Sequence, residues 1–550
     1  MTKASDLLVQ CLEAEGITCI FGVPGEENAD FMLSLQDSSI EFILTRHEQG
    51  AAFMAAVHGR LTGKVGVCLG TLGPGATNLL TGVADGNMDR APMLVITGQG
   101  ATTRQHKESH QVMNVVDMFR PVTKWSQAIL QPSAIPEIIR KAIKLAEAEK
   151  PGAVHIELAE DIAGMDVDAE PLKPTTVRRA APDQKALDQA WQLIAAAKRP
   201  LIIAGNGTIR TRVSQALRSF CNVTGIGVLM TFMAKGAVDL DDESCLFTIG
   251  LGQRDFPMAV VEDADVIITM GYDMVEYPPE NWNSDNDTKI VHIDFIPAEV
   301  DADYVPEVEI VGDLAMAISQ LEERARHEDV NFDLAGQKKL HATMQEEFVA
   351  CRNQHGKGPV KPQKAVSDVR DCLGPDDILL CGVGAHKMWV ARHYQAHEPG
   401  TCIISNGFCS MGMPLPGAIG AALSCPGRKI LGLAGDADFL MNVQEMETAF
   451  RLGTDITMLI WEDNAYGLIA WKQQQEFGTH TDLSFTNPDW VKLAESFGWA
   501  GSRCDHADDL KGHLTKALQH EGPALVVIPI DYSENMKLTE RLGRLTARSG

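Results

Sequence analysis

A chain of 550 residues with a formal net charge of −26 is too long for one hydrophobic core, and about three domains are expected. The excess of acidic over basic residues (74 against 48) opposes binding to a phosphate backbone, so nucleic acid is not expected as a partner. The twelve cysteines are scattered without a C-x-x-C pair, which predicts reduced thiols. No apolar run approaches the roughly 20 residues of a membrane span, and the start lacks a signal-peptide pattern. We therefore expect a cytoplasmic protein with no membrane partner.

Short β-branched runs alternate with helix-period segments, a pattern that predicts an α/β fold of open, mainly parallel sheets flanked by helices. The opening MTKASDLLVQ leads directly into an amphipathic helix pattern. We expect a first domain over residues 1–165, with strands in ITCIFGVPG, EFILTRHE, VGVCLGTLGPG, MLVITGQG and GAVHIEL. Residues 164–183 are rich in proline, charge and small side chains, which predicts a linker.

We expect a central α/β domain over residues 184–325, with strands in PLIIAGNG, GIGVLMTF, DVIITMG and KIVHID. A polar, mostly helical stretch at 323–360 leads out of it. The third domain is expected over residues 360–535, with strands in DILLCGVG, TCIISNG, KILGLAGDAD, ITMLIWED and PALVVIPI. The first and third domains are each a strand–helix array closed by a glycine-rich turn, which suggests related folds. IIAGNG is a weak signal for a dinucleotide, and a plain glycine turn explains it better.

Two carboxylates follow strand-like runs in the third domain. Asp436 comes after KILGLAG, and Asp463 comes after ITMLIWE, 463 − 436 = 27 residues later, which leaves room for a helix and a return strand. Because parallel strands end at the ligand-binding edge of an open sheet, both side chains should lie at that edge. Two hard oxygen ligands suit Mg²⁺ or Ca²⁺, and the backbone N–H groups of the GDAD turn suit a phosphate. The alternative is that both aspartates only cap helix N-termini.

The aspartate pair belongs to a longer series of motifs. In chain order these are FGVPGEEN, TRHEQGAAFMA, GTLGPGATN, SHQ, GVGAHKMW, SNGFCSMGMPLPGAIGAAL and the GDA motif with its second aspartate. The series resembles the thiamine diphosphate enzymes of the pyruvate oxidase and acetohydroxyacid synthase superfamily over essentially the whole chain. GDA and GVGAHKMW look most like acetohydroxyacid synthases. GYDMVEYPPENWN (271–283) looks more like the FAD-free, catabolic acetolactate synthases.

The resemblance implies a fold and a set of cofactors. The expected architecture has an N-terminal pyrimidine-binding domain, a central domain, and a C-terminal domain that binds pyrophosphate and Mg²⁺. Thiamine diphosphate and Mg²⁺ are the expected cofactors, whereas FAD is left open but not favoured. Metal ligands are implied at Asp436, Asp463 and the backbone carbonyl of Ala465. Further cofactor contacts are implied at Pro24, Asn78, Gly384, Ala385, His386, Gly435, Ala437, Asp438, Tyr466 and Gly467.

Two residues of the SNGFCSMG motif gain roles from the resemblance alone. Met411 matches the bulky apolar residue that keeps the cofactor bent, with its 4′-amino group against the thiazolium C2. Cys409 would accept a hydrogen bond from that amino group through its backbone carbonyl, so its thiol needs no role. By composition alone, Met411 would be a core residue.

Glu48 in TRHEQG is the expected proton-controlling residue. In the family a glutamate faces N1′ of the aminopyrimidine ring in a dry site and stabilises the tautomer that activates C2. Without that context, Glu48 would be a surface acid beside Arg46 at a helix start. The resemblance also places Glu48 and the metal motif of one active site on different subunits. We therefore expect a homodimer at minimum, paired into a homotetramer.

Gln111 in ESHQVMN bears on the type of reaction. The 2-oxo-acid decarboxylases of this superfamily usually carry two adjacent histidines here, which help to protonate the intermediate to an aldehyde. This chain has His110 and Gln111 instead. A neutral amide offers hydrogen bonds without a ready proton, which favours carboligation, although both residues could also be loop residues with no role.

Two features depart from the family pattern, an acidic pair and a lysine. Glu26 and Glu27 place two acids where small, apolar or basic residues are expected. Lys472 stands where the biosynthetic enzymes carry a tryptophan that favours 2-oxobutyrate as acceptor, so this preference is not expected. Lys472 is a candidate to hold the carboxylate of the substrate, and a solvated helix lysine is the alternative.

The resemblance implies an acetolactate synthase activity, in which pyruvate loses CO₂ and is joined to a second pyruvate to give 2-acetolactate. One alternative is a 2-oxo-acid decarboxylase that releases an aldehyde. Another is a non-catalytic binding subunit, against which the intact Glu48, Asp436 and Asp463 argue.

Overall fold

The computed structural model describes residues 1–175, 178–210, 212–252, 254–285, 287–352 and 355–542. The strands up to residue 175 are β1 (Thr2–Lys3), β2 (Cys19–Gly22), β3 (Glu41–Leu44), β4 (Gly66–Gly70), β5 (Met93–Gln99), β6 (Trp125–Ala128), β7 (Ala153–Ala159) and β8 (Asp166–Val167). The helices of this stretch are α1 (Ala4–Ala14), α2 (Ala29–Gln36), α3 (Glu48–Thr62), α4 (Pro74–Met88), α5 (Val115–Phe119), α6 (Ile135–Glu147) and α7 (Glu160–Ala163).

The stretch from residue 178 to 352 contains a second set of strands and helices. Its strands are β9 (Pro200–Ala204), β10 (Val228–Met230), β11 (Cys245–Thr248), β12 (Val266–Met270), β13 (Lys289–Asp294) and β14 (Val308–Val311). Its helices are α8 (Gln184–Ala195), α9 (Val213–Thr224), α10 (Phe256–Asp263), α11 (Leu314–His327) and α12 (Ala335–Arg352).

The stretch from residue 355 to 542 contains the third set. Its strands are β15 (Ile378–Cys381), β16 (Cys402–Ile404), β17 (Ile430–Gly435), β18 (Ile456–Glu462), β19 (Ala500–Arg503) and β20 (Ala524–Pro529). Its helices are α13 (Pro362–Cys372), α14 (Ala385–His393), α15 (Pro414–Ser424), α16 (Asp436–Leu440), α17 (Glu445–Leu452), α18 (Gly467–Phe477), α19 (Trp490–Ser496), α20 (Leu510–Leu518) and α21 (Asn535–Leu542).

The large strands form three six-stranded sheets, and the predicted α/β fold class is confirmed. The first sheet has the order β3-β2-β4-β5-β7-β6, and the third has the order β16-β15-β17-β18-β20-β19. When the six strands of each sheet are numbered along the chain, the two orders are the same. The central sheet has the order β11-β10-β9-β12-β13-β14. Strands such as β5 and β7 are buried along their whole length, as expected for parallel strands covered by helices on both faces.

The chain divides into two compact units. Unit 1 comprises the described residues among 1–177, 408–427 and 439–456, and it contains the first sheet together with α15 and α17. Unit 2 comprises the described residues among 178–407, 428–438 and 457–550, and it contains the central and third sheets. The domain boundaries at 1–165, 184–325 and 360–535 stay predictions.

Each predicted strand appears in the structure, and the segments between domains agree in part with their predictions. Residues 164–183 are mostly irregular where described, although β8 pairs there with β1. Between the two aspartates, where the sequence predicts one helix and a return strand, the structure has α16, a turn, α17 and β18, so the short helix α16 is additional. In the described part of the chain, no helix is both long enough and apolar enough to cross a membrane.

Candidate active site

Asp436 lies at the junction of β17 and α16, at the carboxyl edge of the third sheet. The residue is 1% exposed. Its Oδ2 accepts hydrogen bonds from the backbone N–H groups of Asp463 at 3.2 Å and Asn464 at 2.7 Å. Its Oδ1 accepts from the N–H group of Ala437 at 2.8 Å. Asp436 therefore contacts the start of its own helix and also holds the end of the neighbouring strand, so capping alone does not describe it.

Asp463 lies close enough to this carboxylate for the two charges to interact. Burial and the adjacent Asp436 carboxylate raise the pKa of Asp463 well above its ordinary value. Asp463 is not a helix cap, because α18 begins at Gly467 and Tyr466 occupies the N-cap position. A Cβ at Gly467 would overlap the Asp463 carboxylate, so glycine makes room for the acid. A divalent cation would remove the repulsion between the two carboxylates.

The loop between α18 and α19 brings in a residue that the sequence motifs do not identify. Asn487 donates from Nδ2 to Asp436 Oδ2 at 2.7 Å and to Asn464 Oδ1 at 3.0 Å. Its own Oδ1 is buried and has no hydrogen-bond partner among the described residues. An antiparallel bridge between Ala465 and Ser484 holds the loop in place. No spacing rule links Asn487 to the metal motif, because only the folding of this loop brings them together.

The GVGAH turn lies at the same edge, at the junction of β15 and α14. The His386 imidazole is buried, and its Nε2 lies 3.5 Å from Asp438 Oδ2. A Cβ at Gly384 would lie 2.7 Å from His386 Cε1, and one at Gly435 would lie 3.2 Å from it. Ala385, the first residue of α14, is also buried. The two predicted cofactor turns therefore meet around one buried imidazole.

Glu48 begins α3 in unit 1 and is buried, with 8% exposure. Asn78 donates from Nδ2 to Glu48 Oε2 at 2.9 Å. A Cβ at Gly75 would lie 3.3 Å from Glu48 Oε1, so glycine leaves this second oxygen uncrowded. The alternative of a surface acid beside Arg46 is therefore wrong. The carboxyl group is desolvated, with one oxygen held by an amide.

The backbone before Glu48 is held by Glu445, which no motif singles out. Glu445 Oε1 accepts from the N–H groups of Arg46 at 3.2 Å and His47 at 3.0 Å. The Thr448 hydroxyl donates to Glu445 Oε2 at 2.7 Å. Burial raises the pKa of Glu445. This carboxyl group fixes the entry into α3 and therefore the position of Glu48. No local pattern in the sequence marks Glu445, because its backbone partners lie 399 and 398 residues earlier in the chain.

Gln111 lies in an exposed loop and contacts the glycine-rich loop Thr71–Gly75. A Cβ at Gly73 would lie 2.9 Å from the Gln111 backbone O and 3.1 Å from its Cβ, so only glycine permits this approach. The same loop contacts Glu48 through Gly75. The structure thus brings the predicted acid and the predicted amide to one loop. His110 is exposed beside Gln111.

Cys409 and Met411 lie in the loop before α15, in unit 1. The backbone N–H of Ser410, between them, donates to Asp85 Oδ1 on α4 at 3.2 Å. Met411 is only half-buried, which does not fit the alternative of a core residue. Its role as a wedge stays a prediction.

Three non-glycine residues of the predicted motifs adopt the left-handed backbone conformation. The φ angles are +59° at Gln111, +57° at Cys409 and +58° at Asn464. Such conformations cost of order 1–3 kcal/mol and persist where the surrounding structure over-determines them, as functional sites often do. The strain therefore coincides with segments that the motifs identify.

Three further predicted residues are partly exposed. Lys472 is half-buried on α18, and Pro24 is exposed just after β2. Tyr466 is 42% exposed, and its ring meets Phe485 edge-on with 5.4 Å between the ring centroids. The predicted roles of these three residues remain predictions.

Comparison with protein families identifies the chain. Models of the thiamine pyrophosphate enzymes match in three parts: the N-terminal TPP binding domain at residues 2–118, the central domain at 187–321, and the C-terminal TPP binding domain at 382–528. The chain belongs to the thiamine pyrophosphate enzyme family. Glu48, Asn78 and Gln111 lie within the N-terminal match of this enzyme, and the two metal-motif aspartates lie within its C-terminal match.

Several relatives of this thiamine pyrophosphate enzyme align over nearly its whole length. The acetolactate synthase of Bacillus subtilis (strain 168) is 33% identical over 98% of this chain and 94% of its own. The catabolic acetolactate synthase of Raoultella terrigena is 36% identical over 98% of this chain and 97% of its own. The chloroplastic acetolactate synthase 2 of Nicotiana tabacum is 31% identical over 97% of this chain and 83% of its own.

The residues of this thiamine pyrophosphate enzyme fit the groups that its family implies. The oxygens of Asp436, Asp463 and Asn487 lie at one sheet edge, where the Asn487 Oδ1 is buried without a hydrogen-bond partner among the described residues. Hard oxygen donors of this kind suit a divalent cation. The His386 Nε2 is likewise buried without a hydrogen-bond partner in the described part of the chain, next to the glycine turns that suit a diphosphate.

Proposed function

We propose that this enzyme converts two molecules of pyruvate into 2-acetolactate and CO₂, with thiamine diphosphate as its cofactor. The names of the relatives, which include a catabolic acetolactate synthase at 36% identity, support this activity. The structural observation that carries it is the Thr71–Gly75 loop, which contacts both the buried Glu48 and the neutral Gln111. This arrangement offers one acid for activating the cofactor and a neutral amide where a decarboxylase would carry a second histidine.

Thiamine diphosphate, when bound, supplies the nucleophilic carbon and the electron sink that decarboxylation of a 2-oxo acid needs. Glu48 would hold a proton at N1′ of the aminopyrimidine ring. Asn78 donates to Glu48 Oε2 and so leaves Oε1 for that proton. The carbonyl of Cys409 and the side chain of Met411 would orient the same ring. Gln111 would hydrogen-bond the reacting groups without supplying a ready proton.

Mg²⁺ is the proposed metal, with the carboxylates of Asp436 and Asp463 and the carbonyl of Ala465 as its protein ligands. The raised pKa of Asp463 supports this proposal, because the charge of Asp436 opposes ionisation of Asp463 and a bound cation would offset that repulsion. Asn487 orients Asp436 through its Nδ2 and offers a further oxygen at the same edge. The turn at Gly384–His386 and the backbone of Ala437 would bind the diphosphate.

FAD is not part of the proposed enzyme. The central sheet reverses its strand order between β9 and β12, which is where open sheets bind dinucleotides. Here Glu276 accepts from the N–H group of Asn206 at 2.8 Å and from the Thr231 hydroxyl, so the turn after β9 already faces a carboxyl group. A Cβ at Gly205 would lie 2.5 Å from Tyr272 Cα, which leaves no gap over this turn. The visible absorption spectrum of the purified protein should show no flavin band.

The proposed assembly is a homodimer at minimum, paired into a homotetramer, and the proposed location is the cytoplasm. The family pattern, in which two subunits contribute to each active site, supports the assembly. The scatter of the twelve cysteines, without a C-x-x-C pair, supports a reducing compartment.

Product analysis with pyruvate tests the proposed activity. We expect mainly 2-acetolactate, detected as acetoin after acid decarboxylation, with acetaldehyde as a minor product. Gln111→His should raise the acetaldehyde share because an imidazolium can donate a proton, whereas Gln111→Asn keeps a neutral amide and serves as the control. Acetaldehyde as the main wild-type product would favour a decarboxylase, as would turnover of bulky 2-oxo acids with pyruvate ignored.

A further inference from the structure

Glu27, one of the two acids that depart from the family pattern, connects three segments of unit 1. It lies in the short turn Glu26–Asn28 after β2, and its side chain is 10% exposed. Its Oε2 accepts a hydrogen bond from Thr71 Oγ1 at 3.2 Å, and its Oε1 lies 3.6 Å from Arg104 Nη2. The adjacent Glu26 is exposed instead.

The contact with Thr71 reaches the loop on which the proposed chemistry depends. Thr71 is the first residue of the Thr71–Gly75 loop, whose Gly73 contacts the Gln111 backbone and whose Gly75 contacts Glu48. The Thr71 Cγ2 would lie 2.8 Å from a Cβ at Gly75, so Thr71 also packs against the end of this loop. A hydrogen bond that holds Thr71 in place therefore also holds the loop against which Glu48 and Gln111 pack.

The contact with Arg104 reaches the segment that carries Gln111. Arg104 Nη2 also donates to Glu160 Oε1 at 2.9 Å. The far end of the segment is held by Gln99, whose Nε2 donates to the carbonyl of Met113 at 2.9 Å. The segment is thus held at both ends, by neutral hydrogen bonding at one end and by ion pairs at the other.

The two acids that face Arg104 differ in their exposure to solvent. The Glu160 side chain is 37% exposed, whereas the Glu27 side chain is 10% exposed. Glu160 lies closer to Arg104 Nη2, at 2.9 Å against 3.6 Å for Glu27, but solvent screens its charge more, so both acids hold Arg104. Glu27 also bonds the neighbouring loop through Thr71, which Glu160 is not seen to do. Glu27 is therefore the group that joins the two loops.

We propose that Glu27 is a positioning residue that fixes Gln111 through Thr71 and Arg104. In this way it determines how much of the decarboxylated donor is joined to a second 2-oxo acid and how much is protonated to an aldehyde. The proposal rests on the proposed function. Loss of the Glu27 charge should loosen the Gln111 segment and admit water to the reacting group.

The test compares Glu27→Gln with Glu26→Gln, which removes the exposed acid of the same turn. Each holoenzyme is given pyruvate, and 2-acetolactate and acetaldehyde are measured together with hydrogen–deuterium exchange of residues 105–113. Glu27→Gln should raise the acetaldehyde share several-fold and speed exchange in this segment, while Glu26→Gln should change neither. Arg104→Met removes the ion pair with Glu27 and also the one with Glu160, so it should have at least the effect of Glu27→Gln. The double variant should add little to Arg104→Met, because the Glu27 pair is already broken in that variant.

Two results would overturn the proposal. One is an unchanged acetaldehyde share in both Glu27→Gln and Arg104→Met while the wild type forms 2-acetolactate. The other is unchanged exchange in the segment. If Glu27→Gln does not fold, Arg104→Met decides by the same two measurements, with Glu160→Gln as the control for the other ion pair of Arg104: an equal effect of Glu160→Gln would overturn the proposal. A wild type that forms no 2-acetolactate would contradict the proposed function, and the exchange data would still decide whether Glu27 holds the segment.

Discussion

Asp463 and Asp436 show how two similar side chains take different roles through their surroundings. Asp436 accepts hydrogen bonds from the backbone N–H groups of Asp463 and Asn464 and from the Asn487 amide. Asp463 is raised in pKa by burial and by the charge of Asp436. A bound cation would compensate both charges at once, so removal of either acid should disrupt the same site.

Asp436→Ala should abolish retention of both Mg²⁺ and thiamine diphosphate, because a hard ligand and its charge are lost together. Metal and cofactor content after gel filtration are the measurements. Asp505→Ala removes an exposed acid that pairs with Arg503 and should retain both groups, which controls for a general loss of negative charge. Undiminished cofactor in Asp436→Ala would contradict the proposed metal site.

Glu48→Gln should keep the cofactor but slow hydrogen–deuterium exchange at its C2 atom by at least about 10²-fold, the usual scale for a positioned acid–base group. The buried amide would still accept from Asn78, so the structure around it should hold. Exchange at C2 of the bound cofactor is measured directly by quench and NMR. Glu41→Gln, on exposed β3, should leave the rate unchanged. Equal rates in Glu48→Gln and wild type would remove Glu48 from its proposed position at N1′.

Among individual residues, the sequence identifies those that belong to motifs and misses those that reach the site only because the chain folds. Asp436, Asp463 and Glu48 were identifiable because fixed spacing or a short motif marks them. Asn487 and Glu445 were not, since their contacts join segments far apart in the chain. Their side chains are ordinary in type, and no local pattern distinguishes them from other polar residues.

The helix that carries Glu48 depends on a contact between distant elements. Glu445, on α17, accepts the backbone N–H groups that precede α3. These donors lie before the first full turn, where a helix has no internal acceptors for them. The N-terminal end of α3 is thus fixed by an acid on α17, in the C-terminal part of the chain.

Glu445→Ala should lower the free energy of unfolding by about 1–3 kcal/mol, because it leaves two partly buried N–H groups without their acceptor. Glu445→Gln should cost less, since an amide oxygen can still accept. Denaturant unfolding followed by circular dichroism measures both. Glu447→Ala removes only a partly exposed ion pair with Arg451 and should cost less than about 1 kcal/mol. Equal effects at the two positions would argue against the capping role of Glu445.

The strands that sequence patterns miss in the large sheets all lie at sheet edges. They are β6, β11, β14 and β19, and each occupies the end of its strand order. WSQA and AGSR carry no apolar run because these two edge strands are only partly buried. The strand β11 is an exception, since CLFT is buried at every position. Central strands such as β7 and β12 are buried throughout and produce the continuous apolar runs that identify them.

At the scale of the whole molecule, the first and third sheets have the same strand order, as expected if their domains have related folds. The proposed site residues are distributed over two compact units. Glu48, Gln111 and Met411 lie in unit 1, and Asp436 and Asp463 lie in unit 2. A single sequence cannot reveal whether one chain or two supply a site, because the motifs keep the same order in either case.

Mixed dimers test whether two subunits share each active site. Glu48→Gln and Asp436→Ala subunits, carrying different affinity tags, are coexpressed and the mixed dimer is isolated by both tags. If sites are shared, one site of the mixed dimer receives both intact residues and the other receives both altered ones. The mixed dimer should then form 2-acetolactate at about half the wild-type rate per dimer, although neither parent is active.

The mirror experiment pairs a wild-type subunit with one that carries both changes. Shared sites would each contain one altered residue, so this dimer should be inactive. Sites built within one chain predict the reverse, since the wild-type subunit would keep a complete site and the first mixed dimer would have none. Both dimers contain the same number of altered residues, so a general loss of stability would affect them alike. Activity in the second dimer without activity in the first would therefore show that each chain builds its own site.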